Sequence, residues 1–407
     1  MKVYNKTILS NGITVITEDI SFIESFSLGF FINVGSIDET KSTSGISHFI
    51  EHMMFKGTKT RSPRRIAEEI ESLGGYLNAF TSKEHTCYYG RGLTVHLEKT
   101  FRVLSDMIQN SVFNEKEIEK EANVIVDELY DIEDSPEEII FDHFEENIFH
   151  GNSIAYPIIG TEKNIQSFKR ETFLDYIDKN YINSNIVIVN SGNVAHDKIV
   201  SFAEKYFNSS FKKKGKKRKK ISLKDAKDLR IKKDIQQSHL IIGRPTYGIK
   251  DIRRTKISLL SHILGEGSSS RLFQTVREKN GIAYQINSFY NVFSDISAFG
   301  VYLSTNEKSI DKAVSLINKE FDKLKNKKIS DRELKKAKEY LKGQIIMGLE
   351  STTNRMIRIA NSELYFGKIR TLEETISEIE EVTSEDILNI SNDVLNEKLM
   401  SQIIISS

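Results

Sequence analysis

The sequence predicts an α+β protein made of two tandem homologous units, each a mainly antiparallel sheet flanked by helices. The chain has 407 residues, which is too long for one ordinary core and fits two large units. A basic run, "KKKGKKRKK" at residues 212–220, divides the chain near its middle. On either side of this run the same order recurs: strands, an apolar helix, further strands and then helices.

We therefore predict a first domain at residues 1–211 and a second at residues 221–407, joined by a linker at residues 212–220. Eight of the nine linker residues are basic and no aromatic residue lies among them. This composition is typical of a solvated linker, with a nucleic-acid or anionic-lipid patch as the alternative. The formal net charge is +1, so the whole chain is not drawn to nucleic acid or to a membrane surface.

The lack of a recognisable targeting signal and the single cysteine favour a cytoplasmic location. The single cysteine, Cys87, excludes an intramolecular disulfide and a zinc site built from several cysteines. The N-terminal stretch lacks a basic region followed by an apolar one, and no run approaches the roughly 18 apolar residues that span a bilayer. We expect a cytoplasmic protein without a membrane partner. Export without a signal, or trimming of a precursor, stays open.

The segment "SGISHFIEHMMFKGT", which begins at Ser44, carries the clearest chemical pattern. Its apolar residues have helical spacing, and Ser44 is the predicted N-cap. Residues i and i+4 lie on one face of a helix, so His48 and His52 share a face that Glu51 borders. This arrangement offers two metal ligands and a candidate base. Two hydrogen-bonded core histidines are the alternative for such a pair standing alone.

A third ligand is expected from a second helix. A catalytic zinc takes three protein ligands from histidine and carboxylate and leaves one position to water. After the predicted N-cap Asn114, Glu121 and Glu128 lie two turns apart on one helical face. A glutamate on a face shared with valine and isoleucine is unusual unless it is paired or metal-bound, although Glu121 could pair with neighbouring lysines. His85 and Cys87 are alternative ligands on a predicted strand, but Cys87 better fits a small buried residue.

These motifs resemble the pitrilysin and insulinase superfamily of zinc metallopeptidases, and within it the β-subunit of mitochondrial processing peptidase and its bacterial homologues. The resemblance rests on the inverted motif "HFIEH" and, in order, on "LGGYLNAFTSKEHTCYY", "EKEANVIVDEL", "YPIIGTEKNI" and "LGEGSSSRLFQTVREKNGIAYQI". A related motif with a cysteine ligand occurs in S-ribosylhomocysteine lyases, but those chains are far shorter and lack the second half.

The resemblance implies a zinc metalloendopeptidase with one Zn²⁺ per chain. Its ligands would be His48, His52 and Glu128. Glu51 would be the catalytic base that activates water, and Glu121 would be a second carboxylate at the catalytic site.

The resemblance also implies where a peptide substrate binds. Asn78, Ala79 and Phe80 would line an edge strand that pairs with an extended peptide. Arg277 and Tyr284, from the second half, would reach the zinc site. The alternatives are an ordinary internal strand for the first group, and an exposed arginine with a core tyrosine for the second.

The second half is predicted to bind no zinc. Its segment "SHILGE" aligns with "SHFIEH" and keeps His262, but Gly265 and Glu266 stand opposite Glu51 and His52. The repeated half would therefore supply a wall of the site instead of a second metal centre.

The resemblance implies an assembly as well. In this family two such chains commonly face each other as a metallohydrolase clamshell enclosing a chamber, which favours unfolded peptides or precursor segments. We expect a homodimer. An active subunit beside a related inactive chain, and a non-catalytic structural subunit, are the alternatives.

Overall fold

The computed structural model describes residues 4–207 and 218–407, which fall into two compact units. The segments of unit 1 are Met1–Tyr130, Tyr156–Lys219 and Gly348–Ile369, and those of unit 2 are Asp131–Ala155, Lys220–Met347 and Arg370–Ser407. Each unit thus takes one segment from the opposite half of the sequence. The division at residues 212–220 stays a prediction about the repeat, and residues 212–217 lie outside the described part.

Unit 1 is built on a six-stranded sheet. Its strands are β1 (Tyr4–Ile8), β2 (Thr14–Asp19), β3 (Ser25–Ile32), β4 (Tyr76–Thr81), β5 (Thr86–Leu93) and β6 (Ile186–Gly192). Their order across the sheet is β1-β2-β6-β3-β5-β4, and only the β2–β6 pair is parallel. Its helices are α1 (Ile46–Met54), α2 (Pro63–Glu71), α3 (Leu97–Asn110), most of α4 (Glu115–Asp134), α6 (Glu162–Ser167), α7 (Arg170–Asn180), α8 (His196–Tyr206) and α12 (Thr352–Phe366).

Helices cover both faces of this sheet because successive side chains of the central strand β3 are apolar and point in opposite directions. Phe30 packs against Phe101 of α3, with 5.2 Å between ring centroids. The next residue, Phe31, lies in the opposite core with Met356 of α12. The fully buried Glu18 is paired with Arg355 at 2.7 Å. These contacts explain why a helix from late in the sequence belongs to unit 1.

Unit 2 repeats the plan with a five-stranded sheet. Its strands are β7 (Leu229–Lys232), β8 (Ser238–Tyr247), β9 (Ala283–Val292), β10 (Ile296–Thr305) and β11 (Ser401–Ser406). Their order is β7-β11-β8-β10-β9, with only the β7–β11 pair parallel. Its helices are α5 (Pro136–Ile148), α9 (Arg254–Gly265), α10 (Ile310–Asn326), α11 (Asp331–Gly348), α13 (Leu372–Glu381) and α14 (Ser384–Val394), with a π-helical turn at Phe273–Glu278.

Two mainly antiparallel sheets with flanking helices confirm the predicted α+β fold. Helix α5, from the first half of the sequence, packs on β8 and β11 and thereby joins unit 2. In the described ranges no helix combines the length and the apolar composition needed to cross a membrane.

The start of α1 differs from its prediction. The N-cap is Gly45 with a φ of 97°, and the helix begins at Ile46, so the assignment of Ser44 as N-cap is wrong. A left-handed backbone conformation favours glycine. The buried carboxylate of Glu39 accepts hydrogen bonds from the N–H groups of Gly45 (2.8 Å) and Ser47 (2.9 Å), which satisfies the helix start.

The linker prediction also changes at Arg218. This residue belongs to the basic run, yet its side chain is largely buried and its Nη2 lies 2.6 Å from Oδ2 of Asp38. The interpretation of the run as a solvated linker therefore does not hold at Arg218, because this cation is ion-paired with the half-buried Asp38. Its neighbours Lys219 and Lys220 are exposed, as expected.

Candidate metal centre

Helix α1 presents two histidines from an otherwise apolar segment that packs on β4 and β5. The apolar side chains that anchor it in the core are Ile46, Phe49, Ile50, Met53 and Met54. His48 and His52 stand one turn apart, with 4.6 Å between their ring centroids. The buried apolar side chains fix the rotation of the helix, so both imidazoles point the same way.

Helix α4 brings Glu128 to these imidazoles. Its carboxylate oxygens lie 3.8 Å from Nε2 of His48 and 3.7 Å from Nε2 of His52. One candidate ligand atom from each of the three residues lies within 4.8 Å of the others. Among the residues that the structure describes, this is the one such group of three or more. The three predicted ligands are thus brought together.

The geometry of this group fits a zinc ion. Ligand atoms about 2.0–2.2 Å from a tetrahedral zinc lie about 3.3–3.6 Å from one another. The measured separations of 3.7 and 3.8 Å are close to this, so small side-chain movements would close the site. Burial, helped by the neighbouring His52, lowers the pKa of His48 to about 3. The imidazole is therefore neutral at pH 7, which is the form that binds a metal.

Glu121 lies behind His52, on the side away from the ligand group. Its Oε1 lies 2.9 Å from Nδ1 of His52, and its Oε2 lies 2.6 Å from Nζ of Lys56. Burial opposes ionisation of Glu121, but hydrogen bonds from His52 and Lys56 outweigh it and lower its pKa. An ionised Glu121 holds the proton of His52 on Nδ1 and leaves the lone pair of Nε2 facing Glu128. Glu121 is therefore paired with a lysine and also lies next to the candidate metal site.

Glu51 stands beside the ligand group without belonging to it. Its Oε2 accepts a 2.6 Å hydrogen bond from the hydroxyl of Thr81, the last residue of β4. Burial raises the pKa of Glu51, and the bond from Thr81 only partly offsets this. A half-buried carboxyl with a raised pKa beside candidate metal ligands is suited to proton transfer. Sequence reasoning did not identify Thr81, since a threonine at a strand end carries no signal alone.

The predicted edge strand is confirmed, because β4 is the outermost strand of its sheet. Its N–H at Ala79 donates to the side-chain oxygen of Asn78 at 2.8 Å. Phe80 instead packs edge-on against Phe31 and His85. The segment "GGYLNAFTSKEHTCYYG", whose alternation is typical of a single strand, forms two strands, since a turn at residues 82–85 separates β4 from β5. The backbone of β4 therefore has a free side on which an extended peptide could pair.

Arg277 and Tyr284 lie in unit 2. Arg277 is in the π-helical turn, and its guanidinium carbon lies 4.8 Å from the ring centroid of Phe273 and 5.3 Å from that of Tyr284. Tyr284 is 73% exposed on the edge strand β9, so the alternative of a core tyrosine is excluded. That both residues approach the ligand group formed by His48, His52 and Glu128 stays a prediction.

The alternative ligands His85 and Cys87 are buried, and neither belongs to the ligand group found in the described residues. Burial lowers the pKa of His85 to about 4 and raises that of Cys87. Cys87 lies in the core between the sheet and α12, as expected for a small buried residue.

Fold and site together define a protein with a repeated α+β scaffold and a candidate metal centre on its first unit. Residues 14–162 match the family described as insulinase (peptidase family M16), and residues 167–341 match the peptidase M16 inactive domain. The chain belongs to the insulinase family, peptidase family M16. The resemblance drawn from the motifs is thus confirmed at the level of the family, whereas closeness to processing-peptidase β-subunits stays a prediction.

Relatives cover almost the whole chain. An uncharacterized zinc protease of Rickettsia felis is 37% identical, covering 98% of this chain and 97% of its own. The uncharacterized zinc protease YmxG of Bacillus subtilis is 36% identical, covering 95% and 94%. Among solved structures, a protease from Helicobacter pylori superposes with a TM-score of 0.91 at 22% identity, covering 99% of each chain. A peptidase M16 inactive domain from Pseudomonas fluorescens gives 0.92 at 19% identity, covering 99% and 98%. These two structures are similar in fold.

Proposed function

We propose that the protein is a zinc-dependent endopeptidase that hydrolyses unfolded peptides or precursor segments. The observation that carries this proposal is the group formed by His48, His52 and Glu128, with Glu51 beside it as a separate carboxyl. The names of the relatives, zinc proteases, support the same activity. A non-catalytic structural subunit is disfavoured because every residue that would serve as a ligand or as the base is present in the sequence.

One Zn²⁺ per chain would be held by Nε2 of His48, Nε2 of His52 and a carboxylate oxygen of Glu128. Bound there, zinc would polarise the scissile carbonyl and acidify a water molecule. Glu121 would keep the His52 imidazole in the tautomer and orientation that binding requires.

Glu51 would carry the proton. It accepts one from the attacking water and returns it to the nitrogen of the leaving amine, without a covalent intermediate on the protein. The bond from Thr81 fixes one carboxylate oxygen and leaves the other for the water.

The substrate would bind as an added strand. Asn78, Ala79 and Phe80 would line this strand. The N–H of Ala79, which donates to the side-chain oxygen of Asn78 in the free protein, would donate to a substrate carbonyl instead. Arg277 and Tyr284 would donate to the carbonyl oxygen as charge develops on it. A chamber between two chains, a homodimer or a heterodimer with a related inactive chain, would admit unfolded peptides and exclude folded proteins.

Metal depletion tests the proposal. The purified protein is treated with a chelator, and cleavage of a mixed library of unfolded peptides is followed by mass spectrometry before and after Zn²⁺ is restored. We expect internal cleavage that disappears with the metal and returns with it, and no cleavage of a folded protein. Cleavage that persists in the metal-free protein would contradict the proposal.

A further inference from the structure

Arg218 fastens the end of the basic segment to unit 1. Its Nε and Nη2 donate to the two carboxylate oxygens of Asp38 at 2.8 and 2.6 Å. Nη2 also donates to the backbone carbonyls of Asn33 at 3.1 Å and Glu84 at 2.5 Å. This planar, two-pronged contact suits a guanidinium and cannot be reproduced by the single ammonium of a lysine. The same run offers Lys219, which is exposed, as a cation without this role.

The contact falls on the turn at residues 82–85, which joins β4 to β5. The loop that contains Asp38 lies directly against this turn: Ile37 N–H donates to the Lys83 carbonyl at 2.8 Å. A Cβ added at Gly35 would lie 2.4 Å from the Ser82 carbonyl oxygen. Two backbone segments therefore touch without a side chain between them, and Arg218 ties both through Asp38 and the Glu84 carbonyl.

The turn begins immediately after Thr81, whose hydroxyl holds Glu51 at 2.6 Å. A hydrogen bond of this kind requires the donor to be placed within a few tenths of an ångström. The position of Thr81 is set by β4, which among the residues 4–207 and 218–407 has a neighbouring strand on one side only. The turn is therefore the point at which β4 can be fixed against a shift.

We propose that Arg218 is a positioning residue for the peptidase reaction: by clamping the turn at residues 82–85 through Asp38 and the Glu84 carbonyl, it holds Thr81 against Glu51. The effect on turnover rests on the proposed function, whereas the clamp itself does not. In the described part of the chain the hydrogen bonds of Arg218 go to Asp38, Asn33 and Glu84 and not to the candidate metal ligands, so it acts on the base through the turn and Thr81.

The test compares Arg218→Lys, which keeps the charge and loses the two-pronged contact, with Lys219→Ala as the matched control. Backbone hydrogen exchange of the segment 81–86, zinc content, kcat and KM are measured on the full-length protein. We expect Arg218→Lys to speed exchange of the turn and to lower kcat about tenfold, as for small misplacements of a catalytic group. Zinc content should stay at the wild-type value, and Lys219→Ala should change none of these quantities.

A double-mutant cycle shows whether the effect passes through Thr81. Thr81→Val should lower kcat, and Thr81→Ser, which keeps the hydroxyl, should largely restore it. In the Thr81→Val background, Arg218→Lys should lower kcat no further, because contacts in one chain of interactions are not additive. Full additivity would overturn the proposed route.

The exchange measurement separates this inference from the proposed function. Unchanged exchange of the turn in Arg218→Lys would overturn the clamp, whether or not the protein cleaves peptides. Faster exchange with unchanged kcat would overturn the positioning role. Faster exchange in a protein whose wild type cleaves no peptide would contradict the proposed function and leave the clamp supported.

Discussion

Helix α1 of unit 1 and helix α9 of unit 2 match in the repeat, yet of the two only α1 contributes, among the described residues, to a group of side chains that could hold a metal. Helix α9 keeps one histidine, His262, opposite His48. It has Gly265 where α1 has Glu51. An added Cβ at Gly265 would lie 2.3 Å from the backbone nitrogen of Ser288 on β9. The backbone there is too close to the strand for any side chain, so a base cannot stand at this position.

His262, the histidine that α9 keeps, packs against a neighbouring helix. Its ring stacks on Tyr340 of α11, with 4.2 Å between centroids and 17° between planes. Along α11, Gln344 and Ala337 stand opposite Glu128 and Glu121, so neither carboxylate is repeated. The comparison teaches that the apolar pattern preserves the fold, whereas a few polar side chains on two helices decide whether that fold has a metal centre.

The largest effect is expected when the matched histidines of α1 and α9 are replaced in turn. His48→Ala should release zinc and abolish peptide hydrolysis, because a ligand is lost. His262→Ala, its counterpart, should keep both. Metal analysis and peptide cleavage on the two purified variants check this, and zinc loss from His262→Ala would show a second site.

A large effect is also expected from two side chains on the zinc-free unit. Donors aimed at a developing oxyanion are worth about 100-fold to 1000-fold in rate. We expect Tyr284→Phe and Arg277→Ala each to lower kcat by this order while zinc content and thermal stability stay unchanged. The exposed Ile252→Ala on the same unit is the control. Normal turnover in both variants would confine catalysis to unit 1.

An intermediate effect should follow from loosening His52. Glu121→Gln keeps the size of the side chain but removes the charge that holds the proton on Nδ1. Loss of a hydrogen-bond partner of a metal-binding histidine typically lowers metal affinity or activity about 10-fold to 100-fold. Competition with a zinc-binding dye measures the affinity. The control is Glu119→Gln at an exposed position of the same helix, which should leave the affinity unchanged. Equal affinities for wild type and Glu121→Gln would show that Glu121 does not orient His52.

The smallest effect is expected at the edge strand. Ala79→Pro removes an N–H on a strand where proline can be tolerated, so the fold and zinc content should hold. Loss of one backbone hydrogen bond, about 1 kcal/mol, should raise KM several-fold. Ala79→Gly, which keeps the N–H, is the control. An unchanged KM for the proline variant would place the peptide elsewhere.

The parts of the site that lie on one element could be predicted from the sequence. His48 and His52 are one turn apart on α1, and Glu121 and Glu128 share a face of α4, so helical spacing alone groups each pair. The alternating segment after Gly74 and Gly75 predicts a strand, whereas its place at the edge of the sheet is decided by pairing with distant strands. The roles of Arg277 and Tyr284 came only from the resemblance.

The rest depends on contacts between distant segments, which local patterns do not encode. Arg218 and Asp38 are 180 residues apart in the chain, and in the sequence Arg218 is one of eight basic residues in a single run. Thr81 and Glu51 meet only because α1 packs on β4. The crossing of α5 and α12 into the opposite units is likewise decided by which sheet buries them.

The most direct measurement is the turnover and zinc content of Glu51→Gln, compared with Glu128→Gln in the same preparation. Glutamine keeps the shape of each side chain and removes the charge. We expect Glu51→Gln to keep zinc at about the wild-type amount and to lose about 100-fold to 10,000-fold in kcat, as for removal of a general base. Glu128→Gln should lose zinc affinity and turnover together. A Glu51→Gln protein that loses its zinc, or that retains full turnover, would contradict the division between ligands and base on which the account depends.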